Sequence, residues 1–249
     1  MLRDAAIFGR DANVRILTFP APLSAWSLAS AVTSFAMLGA GFALVLMTRL
    51  TGTQPRHWCR AYVASVFVGI ATLGLHALGE PAGGRSLAFW SIADTGTNLV
   101  LAFAVVLALL RDFVAPVARR RAVLSFAVLN AVALAHVTAE RLFGGSAGGI
   151  RSASFGSLTW SQLALVVDYA AAVALFVNAR DRIPMRSRAL LPLLGLAAAT
   201  GPVLAMPDGE RIDALVVAYH AIWHLVGAFL MLLIWIVNEL RFSDSGADH

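Results

Sequence analysis

The sequence predicts an all-α integral-membrane protein, one domain built as a bundle of seven transmembrane helices, and three observations carry that expectation. Of the 249 residues, 59% are hydrophobic and only 13% charged, with a mean hydropathy of +0.77, whereas soluble domains sit near about 45–50% apolar and about 25% charged. Apolar stretches approaching the roughly 20 residues that a bilayer demands recur seven times. The segments between them are short and full of Gly, Pro and Arg, the residues that punctuate helices. Helices are the only open-chain solution, because an open sheet in hydrocarbon leaves backbone groups unpaired.

The seven stretches fall at about 24–48, 59–78, 88–110, 122–143, 158–177, 189–206 and 212–240. "TGTQPRH" ends the first and "GEPAGGR" the second; "RDFVAPVARRR" separates the third from the fourth. A small-residue connection around 144–156 follows the fourth, "ARDRIPMRSR" the fifth and "PDGER" the sixth. The sixth is the weakest, since Pro192, Gly201 and Pro202 interrupt it. The seven spans consume the whole length and leave no room for a separate soluble domain.

Every basic side chain other than His is Arg, and the formal charge is +5. These arginines lie scattered in short loops without interleaved aromatics, which excludes a nucleic-acid surface. They set topology instead. Twelve, including Arg49, Arg111, Arg119–Arg121, Arg180 and Arg241, fall on one side, and seven fall on the other. The positive-inside rule then puts the N-terminus outside and the C-terminus in the cytoplasm, in what we expect to be a bacterial inner membrane. The first twenty residues carry five charges and no adequate apolar core, so a cleaved signal peptide is not expected. Cys59, the lone cysteine, cannot close an internal disulfide.

Ionisable side chains within spans are expensive, and each is a functional candidate. His76 lies near the end of span two, Asp94 near the start of span three, and His220 and His224 in the first half of span seven. With alternating spans all four approach the outer surface at similar depth; His220 is about eight residues in, roughly 12 Å. His220 and His224, at i and i+4, share a helix face and can chelate one ion. A third histidine completes a His₃ set, the zinc arrangement that keeps a position open for water and makes hydroxide available at neutral pH. Asp94 is placed to orient or deprotonate that water, and Thr72, one turn before His76, to donate to an oxyanion. Cys59 lies at the far end of span two, which excludes a thiolate site.

Blander assignments stand beside these. The HxxxH pair can simply hydrogen-bond neighbouring helices, Asp94 can cap span three or pair with Arg, and Thr72 can back-bond within its own helix. Glu140 beside Arg141 suggests an interfacial ion pair, and His136, one turn earlier, a headgroup contact. Asp168, in mid-span, has Asn178, Thr159 and Tyr169 as partners by proximity. Trp26, Trp90, Trp160 and Trp223 suit interface or packing roles.

Thr72-x-x-x-His76, Asp94 and His220-x-x-x-His224 over seven spans resemble the pattern of the CREST superfamily of membrane hydrolases, S-x-x-x-H, Asp and H-x-x-x-H in spans two, three and seven. "ADTG" and "HAIWHL" are most similar to the alkaline ceramidase branch, which is related to adiponectin and progestin receptors and hemolysin III-like proteins. The resemblance implies zinc held by His76, His220 and His224, with Asp94 and Thr72 at the water or oxyanion. It further implies cleavage of a long-chain lipid amide, giving a fatty acid and an amino-alcohol lipid. Two departures matter. Thr72 replaces the usual Ser, and "TFPAPLSAWSLAS" lacks the acidic residues of the ceramidase calcium segment, so no calcium site is expected and ceramide itself is in question. Two other classes remain: a non-catalytic, receptor-like or structural protein in which zinc ties spans two, three and seven, and a haem carrier. The second is disfavoured because His220 and His224 share one face, whereas axial haem ligands approach from opposite sides.

Overall fold

The computed structural model describes residues 13–14, 23–143, 160–205 and 213–245, with side chains at 28–143, 160–199 and 221–243. Its helices are α1 (Ala25–Thr51), α2 (Arg56–Gly74), α3 (Gly84–Phe113), α4 (Pro116–Phe143), α5 (Trp160–Asn178), α6 (Leu191–Ala205) and α7 (Asp213–Ser245). A two-residue antiparallel pairing, β1 (Asn13–Val14) with β2 (Leu23–Ser24), precedes them. Six helices among the described residues are long and apolar enough to cross a membrane. The exception is α6, whose 15 residues span about 22 Å, short of a hydrocarbon core of about 30 Å.

Apolar side chains also cover the outside. Val32, Phe35, Phe42, Phe67, Phe89, Val132 and Leu196 are all more than half exposed, which in water would be an aggregation surface and in lipid is the solvated face. Inside, small residues set the spacing, as expected where close backbone approach drives association. A Cβ on Gly69 would lie 2.5 Å from the Leu38 Cα, and one on Gly41 2.8 Å from the Val66 backbone nitrogen. These contacts seat α1 against α2, and α1 also packs along α7, so the first helix braces the last.

The run "GEPAGGR" is less of a loop than its composition suggests. Beyond Gly74 the α2 rod continues through a π turn at Leu75–Gly79 and a short helical piece at Glu80–Ala82. The break narrows to Gly83 and Gly84, with φ of 62° and 50°, a conformation open to Gly at no steric cost. Trp90 on α3 lies over Gly74, where a Cβ would come within 2.2 Å of its ring. Packing therefore locks the start of α3 onto the π turn.

At the opposite end of the bundle a polar latch joins four elements. The Asp112 carboxylate accepts from Trp58 Nε1 at 2.9 Å and from Arg241, and its other oxygen meets His57 Nε2 at 2.8 Å. Arg241, counted from sequence as a tail charge, is only 5% exposed. Its guanidinium stacks over Phe113 and Phe242. Glu239 accepts from Thr53 at 2.6 Å and Gln54 at 3.0 Å, tying the α1–α2 turn to α7.

Two substitutions test this packing. Gly69→Ala is expected to destabilise by about 1–3 kcal/mol through overpacking against the Leu38 backbone, measured by thermal unfolding in detergent. Asp112→Ala takes a carboxylate partner from the buried Arg241 and is expected to lose about 3–5 kcal/mol, measured the same way.

Candidate metal and lipid site

His76 sits inside the π turn, fully buried, and π turns inside helices frequently mark functional positions. Its Nδ1 lies 3.0 Å from Glu80 Oε1, one turn onward. A carboxylate oxygen accepts, so Nδ1 carries the hydrogen, and in the neutral ring Nε2 then holds the lone pair. His224, on α7, reaches the same state by another route. Its Nδ1 lies 3.0 Å from Thr33 Oγ1 and 3.4 Å from Ser34 Oγ, both on α1. Thr33 donates its hydroxyl hydrogen to the Ala29 and Ser30 carbonyls, and Ser34 donates to Ser30. The hydroxyl oxygens are therefore left as acceptors for an N–H at His224 Nδ1. Both imidazoles thus take the same tautomer by hydrogen-bond logic.

The two rings are close, with centroids 5.4 Å apart and planes at 49°. Two imidazoles bound through Nε2 to one tetrahedral zinc, at about 2.0–2.1 Å per bond, place their centroids about 5 Å apart. A carboxylate or hydroxyl behind the second ring nitrogen is the usual support of a metal-bound histidine. The donor pair fits zinc. Among the described residues no group of three or more His, Cys, Asp or Glu stands poised to hold a metal. The side chain of His220, one turn before His224 on α7, lies outside the described residues.

Asp94 stands on α3 within electrostatic reach of His76 and Glu80. Lying ten residues into its helix, it caps nothing. Thr72 on α2 donates its hydroxyl to Asp94 Oδ1, and Asn98 donates to the same oxygen at 3.4 Å and to the Asp94 carbonyl at 3.0 Å. The Thr72 proton is thereby directed to Asp94 in this structure, so its immediate effect is to orient the carboxylate.

A cavity of about 80 Å³ adjoins these groups. Thr72, Asp94, Asn98, Asp168 and His224 line its polar part. Its apolar remainder continues along α3 to Val105, along α5 to Phe176 and along α7 to Ile234. From Asp94 to Val105 is roughly 16 Å of helix.

Sequence reasoning missed Glu80, Thr33, Ser34 and Asn98. Glu80 follows His76 by four residues, a helical spacing that the neighbouring Pro81 and glycines disguised. Asn98 follows Asp94 at the same spacing, whereas nothing in span one singles out Thr33. Asp168 is paired with Asn130 on α4 at 2.9 Å; of the partners suggested by proximity, Thr159 lies outside the described residues. Glu140 and Arg141 form no ion pair among the described residues, since adjacent helix positions do not face one another.

No family model matches the sequence, and no curated protein is similar enough to it to count as a relative.

Glu80→Ala removes the group behind His76; with zinc as the ion tried at this pair, the variant is expected to bind it about 10- to 100-fold more weakly than wild type, measured by competition with a chelator of known affinity.

Proposed function

We propose that the protein is a zinc-dependent intramembrane hydrolase that cleaves the amide bond of a long-chain lipid. The observation that carries this reading is the matched pair of imidazoles, each braced at Nδ1 and set beside Asp94 at the polar end of an apolar cavity. His76, His220 and His224 would hold the metal. A zinc ion bound there would supply Lewis acidity, polarising the amide carbonyl and lowering the pKa of a nearby water. Asp94, oriented by Thr72 and Asn98, takes the proton that water gives up on attack and passes it to the nitrogen of the breaking C–N bond. The products are a fatty acid and an amine, which accounts for every atom of the amide and the water. Thr72, released from Asp94, has a hydroxyl to offer the developing oxyanion.

In this reading all seven helices span, with α6 the short member, the N-terminus outside, and the site toward the outer face of a bacterial inner membrane. The lipid reaches the cavity from the side. A surface groove of about 500 Å³ runs between α5 and α6, floored by Ala170, Ala174, Gly195 and Ala199. Tyr169, Val173 and Ala198 line both groove and cavity, so one layer of side chains separates them. The cavity itself holds only two or three waters' volume, and a long acyl chain therefore enters by parting α5 from α6. A purely structural zinc tie has no use for a chamber beside the metal.

The test combines zinc content and turnover of a long-chain N-acyl amino alcohol by purified protein. Wild type is expected to carry about one zinc and to release fatty acid. His220→Ala and His224→Ala are expected to lose the metal and at least about a thousandfold in turnover, the scale of removing an activated nucleophile. Full zinc occupancy in either variant, or unchanged turnover, overturns the reading.

A further inference from the structure

Asp168 is a buried carboxylate that the hydrolytic chemistry above leaves unused. It lies in the middle of α5 and is 1% exposed. Its Oδ2 accepts from Asn130 Nδ2 on α4 at 2.9 Å. The same amide nitrogen donates to the Phe126 carbonyl, also at 2.9 Å, which commits both of its hydrogens. Two buried acceptors then remain without a hydrogen-bond partner among the described residues, Asp168 Oδ1 and Asn130 Oδ1. An unmatched buried acceptor is costly, and more so when charged.

A tie between α4 and α5 does not call for this arrangement. One oxygen suffices for the bond to Asn130, and a neutral amide would supply it without bringing a carboxylate into hydrocarbon. Asp168 also lines the cavity, among the same polar groups as Thr72, Asp94, Asn98 and His224, ahead of the apolar run Val173 and Phe176 on its own helix. Chemistry therefore asks for a hydrogen-bond donor in the cavity at this side chain.

We infer that Asp168, backed by Asn130, accepts a hydrogen bond from a hydroxyl on the amino-alcohol part of the lipid and so selects hydroxylated substrates. This rests on the hydrolase reading for the identity of the lipid, but the subsite itself is a matter of binding. A site built to receive a hydroxyl discriminates strongly against the molecule lacking it, because its own polar group is then left unmatched. Asp168 is a specificity residue here; the reacting atoms belong to the metal side of the cavity.

The experiment uses two non-cleavable ether lipids of equal chain length, one bearing the hydroxyl and one a hydrogen in its place. Dissociation constants are measured on the purified full chain. Wild type is expected to prefer the hydroxylated probe by at least about tenfold, the effect of one hydrogen bond to a charged acceptor. Asp168→Leu is expected to abolish the preference, and Asp168→Asn to retain part of it. Equal binding of the two probes by wild type overturns the inference without recourse to any variant. An undiminished preference in a folded Asp168→Leu protein overturns it as well. A hydroxyl preference in a protein free of zinc and of turnover upholds the subsite and sinks the hydrolase. Turnover with no preference does the reverse.

Discussion

A polar side chain in hydrocarbon has no water to fall back on, and the described polar groups of this bundle are arranged around that constraint. Two clusters stand out, one at each end, with the buried pair of Asp168 and Asn130 between them. At one end Asp112 gathers His57, Trp58 and Arg241. At the other, Glu80, Thr33 and Ser34 hold the two imidazoles. Each cluster draws on α1 or its turn, α2 and α7, so the helices are pinned twice along their length. A rod pinned at both ends cannot rotate, and rotation is what would separate His76 from His224.

The brace supplied by α1 follows from its fit against α2. Gly41 and Gly69 allow backbone contact that larger residues forbid, and the same closeness carries Thr33 to α7. Geometry at the site is thus set by helix packing rather than by loops, which suits a centre that must hold its shape before any ligand arrives. By contrast, half of the residues lining the groove between α5 and α6 are Ala or Gly, small side chains that interlock little. Rigidity and freedom are divided between the two sides of the molecule.

The helices were legible in the sequence to within a few residues at most of their ends, because long apolar runs have few alternatives. Thr72, His76, Asp94 and His224 were legible too, each being a polar group in an apolar run. What escaped was whatever depended on a neighbouring helix. Asn130 is as near to Asp168 as a hydrogen bond allows, yet 38 residues separate them and no period connects them. Thr33 is one hydroxyl among several in α1, and only its position opposite His224 gives it a part. Arg241 looked like a tail charge because its partner, Asp112, is at the end of another helix. Glu80 was hidden differently. Gly and Pro around it signalled a loop, whereas a π turn and the Trp90 ring let the helix run on.

That π turn has a bearing on how the protein tolerates change. Its wide turn accommodates one residue more than an α-helix would, with the Glu80 N–H reaching back five positions to the Leu75 carbonyl. Removing one residue at Ala77, Leu78 or Gly79 would close the turn to ordinary α-helical spacing and leave the helix beyond it facing as before, because the wide turn is what absorbs the extra residue. Glu80 would then stand three residues from His76 instead of four, still on the same face but with its bond to Nδ1 re-aimed. The segment can therefore shed a residue without turning the helix beyond it, which its plain composition, Leu, His, Ala, Leu and Gly, does not announce.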